Sequence, residues 1–259
     1  MQTWAVGDAT ITRVEDPGFE LVLPQDDATI ATLQASPWLA PHFVDGDWSL
    51  VVGSTATVIR SGDRTIVVDP FLAFDDPTRL DAQLDALRSA GCDPAEVDVV
   101  VNTHVDGIGA NLASDGTPAF PRARYLVPRE ELDALRDGVH EDERGRPLTD
   151  IATPSEGTEE LAPGVRLEPA PGHYRGHHVV WVDDAAVVIG HLFLHPAQIA
   201  NPDISTGEPD AALLARTRRA LLARCCESGA TLIGPLFAAP GGGTVAGDEA
   251  TGWRLTVED

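Results

Sequence analysis

The chain contains no lysine. All 18 of its basic residues are arginine, against 41 Asp and Glu, and the formal net charge is -23. Such acidity repels both a phosphate backbone and an anionic bilayer, so neither nucleic acid nor membrane is expected as a partner. The imbalance itself reads as a solubility and codon-usage bias rather than as an acidic binding surface. Cysteine is almost as scarce. Cys92, Cys225 and Cys226 cannot build a disulfide framework, and the adjacent pair sits in a helical pattern that points to core packing. No basic stretch followed by an apolar run opens the chain, and no run approaches the length of a membrane span. A soluble, cytoplasmic protein is the expectation.

What is present is enough apolar material for one substantial core. With 259 residues and 43% hydrophobic content, a single domain over 1–259 is expected. Residues 9 to 15 alternate like a half-buried strand. Residues 17 to 48 have no firm period and read as an irregular cover with a short helix near Ala28 to Ala35. Its aromatics, Phe19, Trp38, Phe43 and Trp48, together with His42, are candidates for substrate walls or for simple loop packing. Strands are expected at Leu50 to Ser61 and Arg64 to Asp69, joined by Gly62-Asp63. A helix is expected over 77 to 90, with Leu80, Leu84 and Leu87 on one face. Further strands are read at 97–102, Ala123 to Val127, Val165 to Leu167, Val179 to Val182, Ala185 to Ile189, Thr231 to Gly234 and Trp253 to Val257. Arg129 to Arg136 reads as a helix and 137 to 163 as a surface excursion. A helix over Asp210 to Glu227 places Leu214, Leu221 and Cys225 inward, with Arg216, Arg218, Arg219 and Arg224 outward.

The chemistry-bearing residues collect where these apolar runs stop. The run Val97 to Val101 ends in Asn102-Thr103-His104-Val105-Asp106-Gly107-Ile108-Gly109-Ala110-Asn111, a histidine and a carboxylate delivered at a Gly-rich bend. Further on come Ala170-Pro171-Gly172-His173-Tyr174-Arg175-Gly176-His177-His178 and Gly190-His191-Leu192-Phe193-Leu194-His195-Pro196-Ala197-Gln198, then Gly234-Pro235-Leu236-Phe237-Ala238-Ala239-Pro240.

In that order the four stretches resemble the metallo-β-lactamase fold superfamily, whose forms are T-H-x-H-x-D-H-x-G-G-N, T-P-G-H-T-P-G-H-H, G-D-x-x-H-P-x-Q and G-x-H-F-P-A-P. The last two point to its lactonase and organophosphate-hydrolase branch. The resemblance implies an α/β four-layer αββα sandwich of two mixed sheets, with helices on both outer sides and the motifs meeting along one edge. It also implies a site from which ligands have been lost. His104 and His173 match metal ligands, and Asp69 matches a carboxylate beneath the metals. The second histidine of the first motif has no counterpart, and Gly107, His191 and Leu236 stand where the family has a histidine, a bridging aspartate and a histidine. A dinuclear zinc centre is therefore not expected, because the second ion loses most of its ligands. His104, His173 and His191 remain as a set for one zinc-like divalent ion, or for none.

Within this resemblance, His104, Asp106, His173 and His191 are the expected catalytic groups. Tyr174, Arg175, His195 and Phe237 are expected to shape a small-molecule substrate. Three functions stay open. The first is a hydrolase-like enzyme on a small ester, lactone or related carbonyl with at most one metal. The second is a metal-independent acid–base enzyme of cyclase, dehydratase or isomerase type in a specialised biosynthetic pathway. The third is a non-catalytic descendant that binds a small molecule.

Overall fold

Short runs of valine and isoleucine, buried on both faces, set the architecture of the computed structural model, which describes residues 1–72, 78–105, 111–113, 115–137 and 148–257. The strands are β1 (Gln2–Val6), β2 (Ala9–Glu15), β3 (Leu21–Leu23), β4 (Leu50–Val52), β5 (Thr55–Ser61), β6 (Arg64–Val68), β7 (Val99–Val101), β8 (Arg124–Pro128), β9 (Ala152–Ser155), β10 (Glu159–Ala162), β11 (Val165–Pro169), β12 (His178–Val182), β13 (Ala186–Val188), β14 (Thr231–Ile233), β15 (Gly242–Asp248) and β16 (Gly252–Thr256). The α-helices are α1 (Asp27–Leu33), α2 (Thr78–Ser89), α3 (Arg129–Arg136), α4 (Ala197–Ala200) and α5 (Ala211–Ser228).

Two seven-stranded sheets result, ordered β1-β2-β5-β6-β7-β8-β9 and β10-β11-β12-β13-β14-β15-β16. Both are mixed. The first is antiparallel up to the β5–β6 pair and parallel from β6 through β9; the second has one parallel pair, β13 with β14. Strand parity sorts the side chains into layers. Ile59, Ile66, Val68, Val99 and Val101 of the first sheet meet Val165, Leu167, Val180, Val182 and Val188 of the second. The opposite face of the first sheet, with Val58, Val67 and Val100, packs on Leu80, Leu84 and Leu87 of α2. The opposite face of the second, with Trp181, Val187 and Leu232, packs on Leu214, Leu221, Leu222 and Cys225 of α5. This is the αββα sandwich that the sequence implies.

Several elements differ from expectation. β1, β10 and β15 were not anticipated, and β9 and β10 occupy the supposed excursion before β11. The run Leu50 to Ser61 is two strands. It breaks at Gly53, where a Cβ would stand 2.5 Å from the Phe237 carbonyl oxygen, so β4 leaves the sheet and pairs with β3. The cover helix is α1, and its N-cap Asp26 accepts from the Thr29 amide. Arg218 does not face outward. It is fully buried, with Nε donating to the Leu192 carbonyl (2.6 Å) and Nη1 to those of Ile204 (2.5 Å) and Pro202 (3.2 Å). One guanidinium thereby fastens α5 to the segments on either side of α4.

Candidate active site

Each motif loop is delivered by a strand end and fixed by a specific constraint. β6 stops at Asp69, a non-glycine residue held at φ 45°, with Phe71 following at φ 61°. Such backbone conformations persist only where the surroundings impose them. Here the Asp69 amide donates to the Val101 carbonyl (2.9 Å), and the Asp69 carboxylate accepts from the Thr103 amide (2.8 Å) and the Thr103 hydroxyl (2.7 Å). Burial pushes the Asp69 carboxyl up to about 7, partly offset by those two Thr103 hydrogen bonds. Asn102 and Asn111 pair through both side-chain amides, and the Tyr125 hydroxyl donates to the Asn111 carbonyl. The ends of the first motif are thereby pinned; Asp106, the predicted catalytic carboxylate, lies outside the described residues, as does Gly107.

His104 is fully buried and comes off the β7 end. Its Nδ1 lies 3.0 Å from the Thr103 hydroxyl oxygen. That hydroxyl donates its one proton to Asp69, so its oxygen accepts from His104 Nδ1–H and the lone pair stays on Nε2. His191 Nδ1 lies 2.9 Å from that Nε2. His191 follows β13 through Gly190, which sits at φ 54°; a Cβ there would collide with Thr103 Oγ1 and stand 2.7 Å from His177 Nε2. Only glycine brings His191 this close to His104. Burial, reinforced by the nearby His173, pushes His191 down to about 3, so the imidazole is neutral.

His173 rides on the loop between β11 and β12, which is clamped from two sides. A Cβ at Gly172 (φ 143°) would collide with Leu214 of α5, and the Thr217 hydroxyl of α5 donates to the Pro171 carbonyl (2.6 Å). From α3, Glu131 Oε1 accepts from the Gly176 amide (3.3 Å). The His173 ring centroid lies 5.0 Å from that of His104 and 5.7 Å from that of His191. Tyr174 stacks on His104 at 5.9 Å and meets His173 edge-on at 5.0 Å. His177, also fully buried, has its ring 5.3 Å from His104, and burial holds it well below the usual histidine range.

The three predicted imidazoles thus form one buried set, each offering a nitrogen within 4.8 Å of the others. Neither His173 nitrogen has a hydrogen-bond partner among the described residues; a Glu208 oxygen lies 3.5 Å from Nδ1, at ion-pair distance. Buried polar atoms are almost always satisfied, so these orphans mark a place for a missing partner. Three neutral imidazoles suit a zinc-like divalent ion that keeps one open position. Leu236 contributes carbon only, beside His191, Asp69 and Thr55.

Three expected substrate contacts lie elsewhere. His195 is buried, with Nε2 donating to the Phe43 carbonyl (2.8 Å) and Nδ1 accepting from the Ala197 amide (3.0 Å). Phe237 is fully buried against Phe43, 6.2 Å between centroids, and its carbonyl accepts from Arg13. Both pack in the core around Phe43. Arg175 is exposed and lines a separate cavity of about 370 Å³ with Arg129, Glu130, Glu156 and His178. Of the cover residues, Phe43 is buried, Trp38 and Trp48 pack half-buried on the core, and Phe19 lines a cavity of about 360 Å³ beside Ala238 and Ala239. The sequence reading missed Glu208, whose only local signal is a nearby Ser205-Thr206 pair. Its carboxylate accepts from Ser205 Oγ (2.5 Å), the Thr206 amide (2.7 Å) and Thr206 Oγ1 (3.0 Å). Its burial favours the neutral form but is outweighed by His173, Ser205 and the backbone amides, which hold the carboxyl well below its usual range.

A two-sheet sandwich with histidines gathered at its strand ends defines a class. A sequence profile of the metallo-beta-lactamase superfamily matches residues 50–189, more than half of the chain, and the protein belongs to that superfamily. Solved structures similar to it include the dizinc quorum-quenching lactonase AidC with a product, N-hexnoyl-L-homoserine (TM-score 0.81, 15% identity, 100% of this chain and 97% of that one). Another is the hydrolase AbOPH of the beta lactamase superfamily (0.76, 18%, 99% and 98%). A third is a probable metal-dependent hydrolase from Staphylococcus aureus (0.72, 15%, 99% and 100%). At these identities the likeness is one of fold. No curated protein sequence matches the chain significantly.

Proposed function

We propose that this chain is an atypical hydrolase of its superfamily, acting on a small ester, lactone or related carbonyl compound, with one zinc-like divalent ion held by His104, His173 and His191. The observation that carries the reading is the buried set of three imidazoles within 4.8 Å, with both His173 nitrogens left without a hydrogen-bond partner among the described residues. Such an ion, when bound, brings the pKa of a coordinated water towards neutrality and polarises the carbonyl under attack. The chain's own residues hold the geometry. Asp69 fixes Thr103, Thr103 fixes the His104 ring, and Gly190 lets His191 approach. Tyr174, half-buried over His104 and His173, is placed to border the substrate. The neighbours of known structure, a lactonase among them, favour a carbonyl substrate by analogy of fold alone.

A second reading has its own observation. Asp69, Thr103, His104 and His191 form an unbroken line of hydrogen bonds, 2.7, 3.0 and 2.9 Å long. A line of that kind moves protons without a metal and suits an isomerase, cyclase or dehydratase.

Emission spectroscopy of protein purified without chelator, followed by turnover on a panel of lactones and aryl esters, separates the two. One equivalent of metal and metal-dependent hydrolysis are expected. Metal-free protein that reacts with no ester or lactone overturns the hydrolase reading.

A further inference from the structure

From the placement of Glu208 we infer a positioning residue that takes over, through His173, part of the role of the carboxylate the family has at position 191. This inference rests on the metal-binding reading above. The site would hold a dication, and imidazoles ligate a metal as neutral groups. Charge balance therefore has to come from behind the ligands. One carboxylate, Asp69, stands behind His104 through Thr103. Glu208 occupies the corresponding place behind His173: its Oε1 lies 3.5 Å from Nδ1, and its side chain is only 3% exposed. That Nδ1 makes no hydrogen bond among the described residues, which leaves the Glu208 oxygen as the acidic group recorded beside it.

The loop holds this carboxylate firmly. Oε2 accepts from Ser205 Oγ and the Thr206 amide, and Oε1 accepts from Thr206 Oγ1. The Arg218 guanidinium contributes a favourable field and ties the same segment to α5 through the Pro202 and Ile204 carbonyls. A carboxylate is an acceptor only, so it selects the His173 tautomer with the proton on Nδ1. Nε2 then carries the lone pair, and it has no hydrogen-bond partner among the described residues. Two acidic side chains thus stand one behind each of two ligands. His191 has none, being bonded to His104 directly.

The test compares Glu208→Ala with Glu208→Gln in the full chain. Long-range nitrogen–carbon NMR reads the His173 tautomer in metal-free protein, and chelator competition reads zinc affinity. In the parent, His173 is expected as the Nδ1–H form. Glu208→Ala should redistribute the proton toward Nε2 and weaken zinc binding by roughly 10- to 100-fold. Glu208→Gln keeps an acceptor oxygen, so it should retain the tautomer and lose affinity only in part. An unchanged tautomer in folded Glu208→Ala overturns the assignment and leaves Glu208 as a loop-closing residue. Equal losses of affinity in Ala and Gln overturn the tautomer argument. If the parent binds no zinc, the metal reading fails on its own, while the tautomer measurement still decides whether Glu208 orients His173.

Discussion

His173 and His195 are the same side chain at the same depth, 8% and 4% exposed. They differ in what their nitrogens meet. Both nitrogens of His195 are satisfied by backbone, from Phe43 and Ala197, whereas neither nitrogen of His173 has a hydrogen-bond partner among the described residues. An imidazole tied at both ends to backbone is held in the core. One left open beside His104 and His191, which are bonded to each other through ring nitrogens a ligand could take over, is a candidate site.

The largest effect that would break this contrast comes from removing a member of the set. His104→Ala, His173→Ala and His191→Ala should each lower bound metal and turnover by about 100-fold or more, beyond the range for outer partners of a metal site. His195→Leu should leave metal content unchanged, as read by emission spectroscopy; a loss equal to that of His173→Ala would erase the distinction. Thr103→Val comes next. It severs the Asp69–Thr103–His104 line, so affinity should fall roughly 10- to 100-fold, with about 1–3 kcal/mol of stability lost at the stranded Asp69 carboxylate.

His195 should show itself in folding instead. Burial pushes it down to about 4, despite the Phe43 hydrogen bond, while an unfolded histidine titrates near its ordinary value. Between those two values the unfolded chain binds more protons, so stability falls as pH drops from about 6.5 to about 4. The full contribution is on the order of 3 kcal/mol. Urea melts at pH 7 and pH 4.5 should show a smaller difference for His195→Leu than for the parent. At pH 7 that variant should itself lose about 1–3 kcal/mol, because it strands the Phe43 carbonyl and the Ala197 amide. The smallest effect is expected at Arg175, which lies in a different cavity. Arg175→Ala should keep its metal and change stability by less than about 0.5 kcal/mol. A large loss of metal there would extend the site to that cavity.

The site loops were readable because the apolar runs before them give way to short stretches rich in Gly, Pro and His. That is why His104, His173 and His191 could be named before their convergence was seen. β15 was not readable: Gly242, Gly243 and Gly247 dilute any alternation. Arg218 was misplaced because amphipathic reasoning sends charge outward, and the carbonyls of Leu192, Pro202 and Ile204 that receive it come from non-local chain. Glu208 escaped for a similar reason, since its partner His173 lies far away in sequence. His195 and Phe237 were named because they follow site motifs; their packing against Phe43, far away in sequence, could not be read from those motifs.

The cluster's parentage has a practical consequence. His104 is carried by the first sheet, while His173 and His191 are carried by the second, with 87 residues separating His104 from His191. Anything that binds all three acts as a clasp across the two halves, and the unfolded chain has no equivalent clasp. By mass action, an ion or ligand at 100 times its Kd should add about 2.7 kcal/mol to the native state. For chains near this size each kcal/mol raises Tm by about 2–4 °C. The melting curve thus reports occupancy even while the substrate is unidentified, and metals, lactones and carboxylic acids can be ranked by the heat the two sheets withstand together.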